Sequence, residues 1–127
     1  ASSSAPCRIR PVMTAEELLT YQQFVREIPV ADNVIEFAVR LVSQTRPGTQ
    51  ASPDLVNDYL SYGAGPRASQ FLVLGAKTLA ALDGRLTPLE SDVQRMAVPV
   101  LRHRIVTNFN AEADGVTPVD VIKRLLD

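Results

Sequence analysis

Apolar residues recur along most of the chain at intervals of three and four, so the sequence predicts helices rather than long alternating strands. The first helix signal is Thr14-Ala15-Glu16-Glu17, a reciprocal capping box in which Thr14 caps the Glu17 amide and Glu17 reaches back. Leu18, Leu19, Gln22 and Val25 carry that helix to about Glu27, and Pro29 ends it. Asp32 is read as the next N-cap. Val34, Ile35, Ala38, Leu41 and Val42 then form one apolar face, with Glu36, Arg40 and Ser43 outside, until Arg46-Pro47-Gly48 closes the helix. A turn-rich stretch between Pro47 and Asp54 leads to a short amphipathic piece around Leu55, Val56, Tyr59 and Leu60.

Gly63-Ala64-Gly65-Pro66 is the sharpest punctuation in the chain, and Pro66 is placed at the first position of a long helix running to about Leu82. Phe71, Leu72, Val73, Leu74, Ala76, Leu79, Ala80 and Leu82 make that helix apolar nearly all round, which predicts a central, buried position. Only Arg67, Gln70 and Lys77 form a polar stripe along it. Asp83-Gly84 stops it, and Thr87-Pro88-Leu89-Glu90 reads as a second capping box opening a helix through Val93 and Met96. Pro99 is expected to restart the chain. Val100 to Val106 fits a helix or a strand, with helix preferred; Asn108 to Gly115 reads as polar loop, and Thr117-Pro118-Val119-Asp120 caps a last short helix. The sum is an all-α compact bundle of six or seven helices, compatible with one short strand pair and with a short strand at 28–30.

The chain has 127 residues, 46% of them hydrophobic, enough for one core and not for two. Lys and Arg total 13 against 14 Asp and Glu, so no global field draws it to nucleic acid or to an anionic membrane, and any anion site must be local. No apolar run reaches the ~18 residues of a membrane span, and no secretory leader is visible, which together suggest a cytoplasmic protein. Ala1 and the Ser-rich opening suggest that residues 1–12 are a flexible lead or vector scar, ahead of one helical domain over 13–127 in a piece of something longer.

Site chemistry is sparse. The single Cys7 and single His103 make neither a disulfide, a metal cluster nor a catalytic triad, and none of the six glycines is followed by Lys, so a Walker A loop is absent. Catalytic residues and metal ligands are therefore not expected in this chain. Gly63-Ala64-Gly65-Pro66-Arg67-Ala68 matches a dinucleotide fingerprint, with Asp83 at the ribose position. The match is rejected, because Asn57–Tyr62 is too polar for a buried parallel strand and the helix runs straight into Asp83. Arg67 is the informative residue. A helix start carries about half a positive charge, so a first-turn Arg is unfavourable by ~0.3–1 kcal/mol unless an anion is near. Glycines that admit a ligand, free amides and a guanidinium together make a phosphate-sized anion site; the alternative is an Arg in water. Arg102-His103-Arg104 is a compact basic cluster, read on composition as solvated.

Several segments, in order, resemble the C-terminal lid subdomain of MoxR-type AAA+ ATPases from about Met13 to Leu126. Val39–Pro47 resembles the family's helix ending in Thr-Arg. Tyr62–Ala68 resembles its Tyr-Gly-Ala-Ser-Pro-Arg-Ala segment, and Val98–Ile105 its Pro-Val-Leu-Arg-His-Arg run; Asn108-Phe109, Ala111-Glu112-Ala113 and Gly115-Val116-Thr117 also follow the pattern. The resemblance implies that Arg67 is the second sensor arginine, set by Gly63, Ala64, Gly65 and Pro66 and reaching ATP phosphates held by a preceding α/β domain. Gly65 stands where the family usually has Ser, which removes a side-chain cap. It further implies ATP with magnesium bound mainly by that upstream AAA+ domain, and no catalysis by the lid alone. Implied partners are the upstream domain, neighbouring ring subunits and a von Willebrand A-type domain protein, in a chaperone-like remodelling machine whose lid couples ATP state to ring conformation. The competing reading is a helical protein-interaction module in which Arg67 and Arg102–Arg104 meet an acidic partner.

Overall fold

A computed structural model describes residues 6–127; the first five residues of the expected 1–12 lead lie outside them. The described residues form seven helices and one strand pair, in the order α1 (Ala15–Glu27), α2 (Asp32–Gln44), α3 (Asp54–Tyr59), β1 (Leu60–Tyr62), α4 (Arg67–Leu82), α5 (Glu90–Leu101), β2 (Val106–Thr107), α6 (Phe109–Asp114) and α7 (Pro118–Leu126). This is the all-α bundle with a short strand pair. Among the described residues no helix is long and apolar enough to cross a membrane.

The core is built around α4 and α5, which share the most extensive contact in the molecule. Ala68, Leu72, Ala76 and Ala80 recur every fourth residue on α4 and are buried, so one narrow stripe faces the bundle. Small side chains on that stripe let α5 approach closely, and at Gly75 an added methyl would run into the Met96 side chain. Val34, Ala38, Leu41 and Val42 of α2 close one side, while Val121 and Ile122 of α7 close the other. The rest of α4 departs from the expectation of burial all round: Leu74 is 37% exposed and Leu82 78%. Hydropathy predicted an apolar helix, but only one stripe of it is fully buried on this short chain. Among the described residues α1 buries no side chain, and it packs chiefly on α4.

Both outer capping boxes form. Thr14 Oγ1 accepts the Glu17 amide at 3.1 Å, and Thr117 Oγ1 accepts that of Asp120 at 3.1 Å, each with the acid answering to the cap amide. The middle one does not. Thr87 instead donates to the Pro29 carbonyl at 2.8 Å, tying two loops together, and α5 starts later with Leu89 as its N-cap. Asp92 supplies the cap by accepting the Leu89 amide at 2.8 Å. Asp32 is likewise the first helical residue of α2 rather than its cap, and Ala31 caps without a side-chain bond.

Pro99 does not restart the chain but lies inside α5. Arg95 and Pro99 both lie on the exposed side, where water can take the carbonyl bond that proline cannot return. Residues 100–106 then divide: Val100 and Leu101 finish α5, a turn follows, and Val106 enters β2. The expected strand at 28–30 is absent, since Ile28 only caps α1; the strand pair is β1 with β2, antiparallel, with Leu60 opposite Thr107 and Tyr62 opposite Val106. Asn108–Gly115 is not loop but α6, because Asn108 Oδ1 caps the Ala111 amide at 3.0 Å and Gly115 closes the helix at φ 70°.

Asp92 is 2% exposed and takes both guanidinium nitrogens of Arg85 at 2.7 Å. The Arg85 bonds hold its carboxyl below the ordinary aspartate range, against desolvation and with help from the Leu89 amide. Its folded pKa lies below the unfolded value, so the stabilisation is complete above pH ~4 and is lost as acid protonates the folded carboxylate. In urea melts from pH 7 to pH 2, the midpoint gap between wild type and Asp92→Asn should narrow with acidification. A gap independent of pH would refute this.

Candidate anion site at the start of helix 4

Two segments far apart in sequence meet at this site: the end of α2 and the loop from β1 into α4. Burial of Val42 and Leu41 brings the last turn of α2 against the loop, so that Thr45 is fully buried and Arg46 half-buried. Thr45 Oγ1 donates to the Val42 carbonyl at 2.6 Å and accepts the Ala64 amide at 2.9 Å. Arg46 Nε donates to the Ala64 carbonyl at 2.8 Å, and the Arg46 carbonyl accepts the Ser52 hydroxyl. Both backbone groups of Ala64, itself buried, are therefore satisfied by consecutive side chains.

Gly63 is required by contact rather than by torsion. A Cβ there would overlap the Thr45 carbonyl and approach the Arg46 Cα to 2.6 Å, both backbone atoms that cannot swing aside. Gly65 is the opposite case: a Cβ there meets nothing within 4 Å. Pro66 has helical torsions (φ −58°, ψ −28°), so it opens the helical conformation as expected, although the regular hydrogen-bonded helix begins at Arg67. Pro66 is the N-cap of the regular helix and brings no capping side chain, and the Gly65 carbonyl accepts the Ala68 amide at 3.0 Å in the turn that leads into it. A hydroxyl there would have free amides of the first turn within its neighbourhood, so Gly65→Ser should stabilise the chain by roughly a few tenths of a kcal/mol. Chemical denaturation with an unchanged slope would show it, and a loss of stability would mean that the open space is not available to the hydroxyl.

Arg67 is exposed in the first turn of α4, and among the described residues its guanidinium has no hydrogen-bond or ion-pair partner. No acidic residue offsets it in that turn. Phe71, one turn on, is partly exposed and lies under the Arg104 guanidinium, 4.8 Å from the ring centroid. Arg104 also donates to the Val100 carbonyl at 2.6 Å, so this member of the basic cluster is engaged within the fold while Arg102 and His103 stay exposed. Within the expected solvated cluster Arg104 is thus anchored to the fold and also touches His103 Nε2.

The structure brings Gly63, Ala64, Gly65, Pro66 and Arg67 together as one continuous turn, as the sequence places them. Thr45 and Arg46 were visible only as part of a family-like helix end; a hydroxyl and a guanidinium closing an otherwise apolar helix were the signal. A short strand does precede the glycines, but with Ser61 and Tyr62 exposed it is not the buried parallel strand for which Asn57–Tyr62 is too polar. It pairs through its backbone with a single antiparallel neighbour, so the parallel sheet of a dinucleotide fold is still missing among the described residues.

A family model described as the AAA lid domain matches residues 53–125. Chaperone MoxR1 of Mycobacterium tuberculosis is 32% identical over 121 residues, spanning 95% of this chain and 32% of that protein. The uncharacterised protein YeaC of Bacillus subtilis is 24% identical over 118 residues, 93% of this chain and 34% of its own length. A crystal structure of a presumptive ATPase from Cytophaga hutchinsonii superposes with a TM-score of 0.81 and 27% identity, over 87% of this chain and 34% of that one. The chain spans about a third of the length of each of these relatives.

Proposed function

The chain belongs to the AAA lid domain family, and from that premise we propose that it is the nucleotide-sensing lid of a MoxR-like ATPase, with Arg67 as the residue that reaches the ATP phosphates. The observation that carries this reading is the exposed Arg67, without a partner among the described residues, at a helix start whose first turn holds no acid. A guanidinium so placed is unfavourable by itself and favourable once an anion arrives. The proposed partners are an upstream AAA+ α/β domain and neighbouring subunits of a ring, in a chaperone-like remodelling machine; a von Willebrand A-type domain protein is the proposed companion.

The family implies ATP with magnesium, and the residues present fit one phosphate group of it. Arg67 supplies a charge-assisted donor, and the space beside Gly65 leaves the turn open to an approaching oxygen. Among the described residues no group of three or more His, Cys, Asp or Glu could hold a metal, and the proposed reading gives magnesium and the rest of the nucleotide to the upstream domain. ATP supplies the phosphoryl group that is transferred to water; the lid's part is to orient a cation toward it and exclude solvent as it closes.

The decisive experiment is Arg67→Ala in the ATPase that carries this lid, where turnover should collapse with the lid still folded. A second expectation concerns the 127-residue chain by itself: ATP binding no tighter than about millimolar, since one guanidinium and a few amides do not offset the immobilisation of a solvated triphosphate. Titration calorimetry and phosphorus NMR would measure it. Micromolar affinity at physiological salt would mean that the chain holds a complete nucleotide site.

A further inference from the structure

Arg46 reaches 18 residues along the chain to hold the loop that carries Arg67. The bond to the Ala64 carbonyl runs through Nε, the innermost guanidinium nitrogen, at 2.8 Å. Thr45 holds the other side of the same peptide unit, and its direction is set: its hydroxyl gives its proton to Val42 and so can only accept from the Ala64 amide. Gly63 removes the last freedom, because any side chain there would push the loop off the backbone of α2. Between the clamped Ala64 and Arg67 only residues 65 and 66 intervene, and Pro66 has a fixed φ. The place of Arg67 is thus referred to α2 as well as to its own helix.

We propose that Arg46, assisted by Thr45, is a positioning residue for Arg67, holding the 63–66 loop against α2 so that the sensor guanidinium meets the phosphate at a fixed distance. This rests on the reading of Arg67 as the phosphate-contacting arginine. What the clamp requires is a donor at the reach of Nε, not a charge. Glutamine carries Nε2 the same number of bonds from the backbone, whereas methionine fills similar space with no donor. The two substitutions separate positioning from direct contact of Arg46 with an anion.

In the ATPase that carries this lid, with ATP as substrate, Arg46→Met should lower kcat by about 10- to 100-fold, the loss expected when a contributing group is misplaced by about 1 Å. KM should stay within about twofold, as for an interaction made only in the transition state. Arg46→Gln should retain turnover within about threefold of wild type, and Arg46→Met should add nothing in an Arg67→Ala background, because both changes remove one interaction. Equal losses in the Gln and Met variants, or additive effects with Arg67→Ala, would overturn the inference. Thr45→Val deletes the acceptor at constant shape and takes the place of Arg46→Met, with the same expectations, should that variant not fold. Undiminished turnover in Arg67→Ala removes the sensor reading itself, whereas undiminished turnover confined to Arg46→Met removes only the positioning role. In the 127-residue chain, Arg46→Met should also speed hydrogen exchange at the Ala64 amide at least tenfold while the core amides of α4 stay protected; unchanged exchange there would overturn the clamp.

Discussion

In the ATPase that carries this lid, Arg67→Ala is expected to lower kcat by about 10²- to 10³-fold, the loss typical of removing one preorganised donor from a developing negative charge. The reason lies in the protein side of the contact. Among the described residues the guanidinium is held by no carboxylate, so its donor capacity is available to a ligand, and loss of the side chain orphans no described group. Stability should therefore stay level or rise slightly, since a cation at a helix start is unfavourable by ~0.3–1 kcal/mol. Arg67→Lys should recover part of the rate: an ammonium restores the charge but not the planar fork that grips two phosphate oxygens. Steady-state hydrolysis together with a thermal melt of each variant gives the test. Wild-type turnover in Arg67→Ala would refute the assignment, and a melt lowered in step with the rate would make Arg67 structural.

Leu72→Ala should destabilise the chain by about 2–5 kcal/mol, the range for emptying a fully buried leucine site. Leu72 is 0% exposed and sits in the middle of the alanine stripe of α4, where it is the large side chain among three small ones. Small neighbours cannot move in to refill its volume, so the loss should fall toward the upper part of that range. Leu74, on the same helix but 37% exposed, should lose about 1 kcal/mol or less on truncation, because much of its surface is in water already. Urea denaturation of the two variants side by side checks the orientation of α4 directly. Equal losses would mean that the buried face has been misassigned.

Thr14 with Glu17, and Thr117 with Asp120, were legible as helix starts because each cap is local: donor and acceptor lie three residues apart and need nothing else from the fold. Gly84 was legible as a stop for the same reason, adopting a left-handed torsion that glycine accommodates. The strict order of Gly63, Gly65, Pro66 and Arg67 likewise placed an open turn and a guanidinium at one helix start. The apolar spacing of α2 and α4 then determined an all-α bundle, since helices with apolar faces must bury them against one another.

Tertiary structure decided what distance along the chain conceals. The Thr87 capping box resembles the one at Thr117, yet its hydroxyl is taken by the Pro29 carbonyl and Asp92 caps instead, because a loop from 58 residues away competes for it. Which of the many leucines on α4 is buried depends on where α2 and α5 lie, and periodicity on an apolar helix does not say. Six-residue α6 contributes one fully buried side chain, Ala111, too weak a pattern to predict, and is held by the cap and by bonds from Asn108 to Asp58 and Tyr59. The clamp of Thr45 and Arg46 on Ala64 is the same case at the site. A sequence records which residues can donate, accept or fill space, and it determined here most of the helices, the caps that are local and the arginine at a helix start. Which donor meets which acceptor across 18 residues is settled only when burial brings the chain segments together and leaves each buried polar group needing a partner.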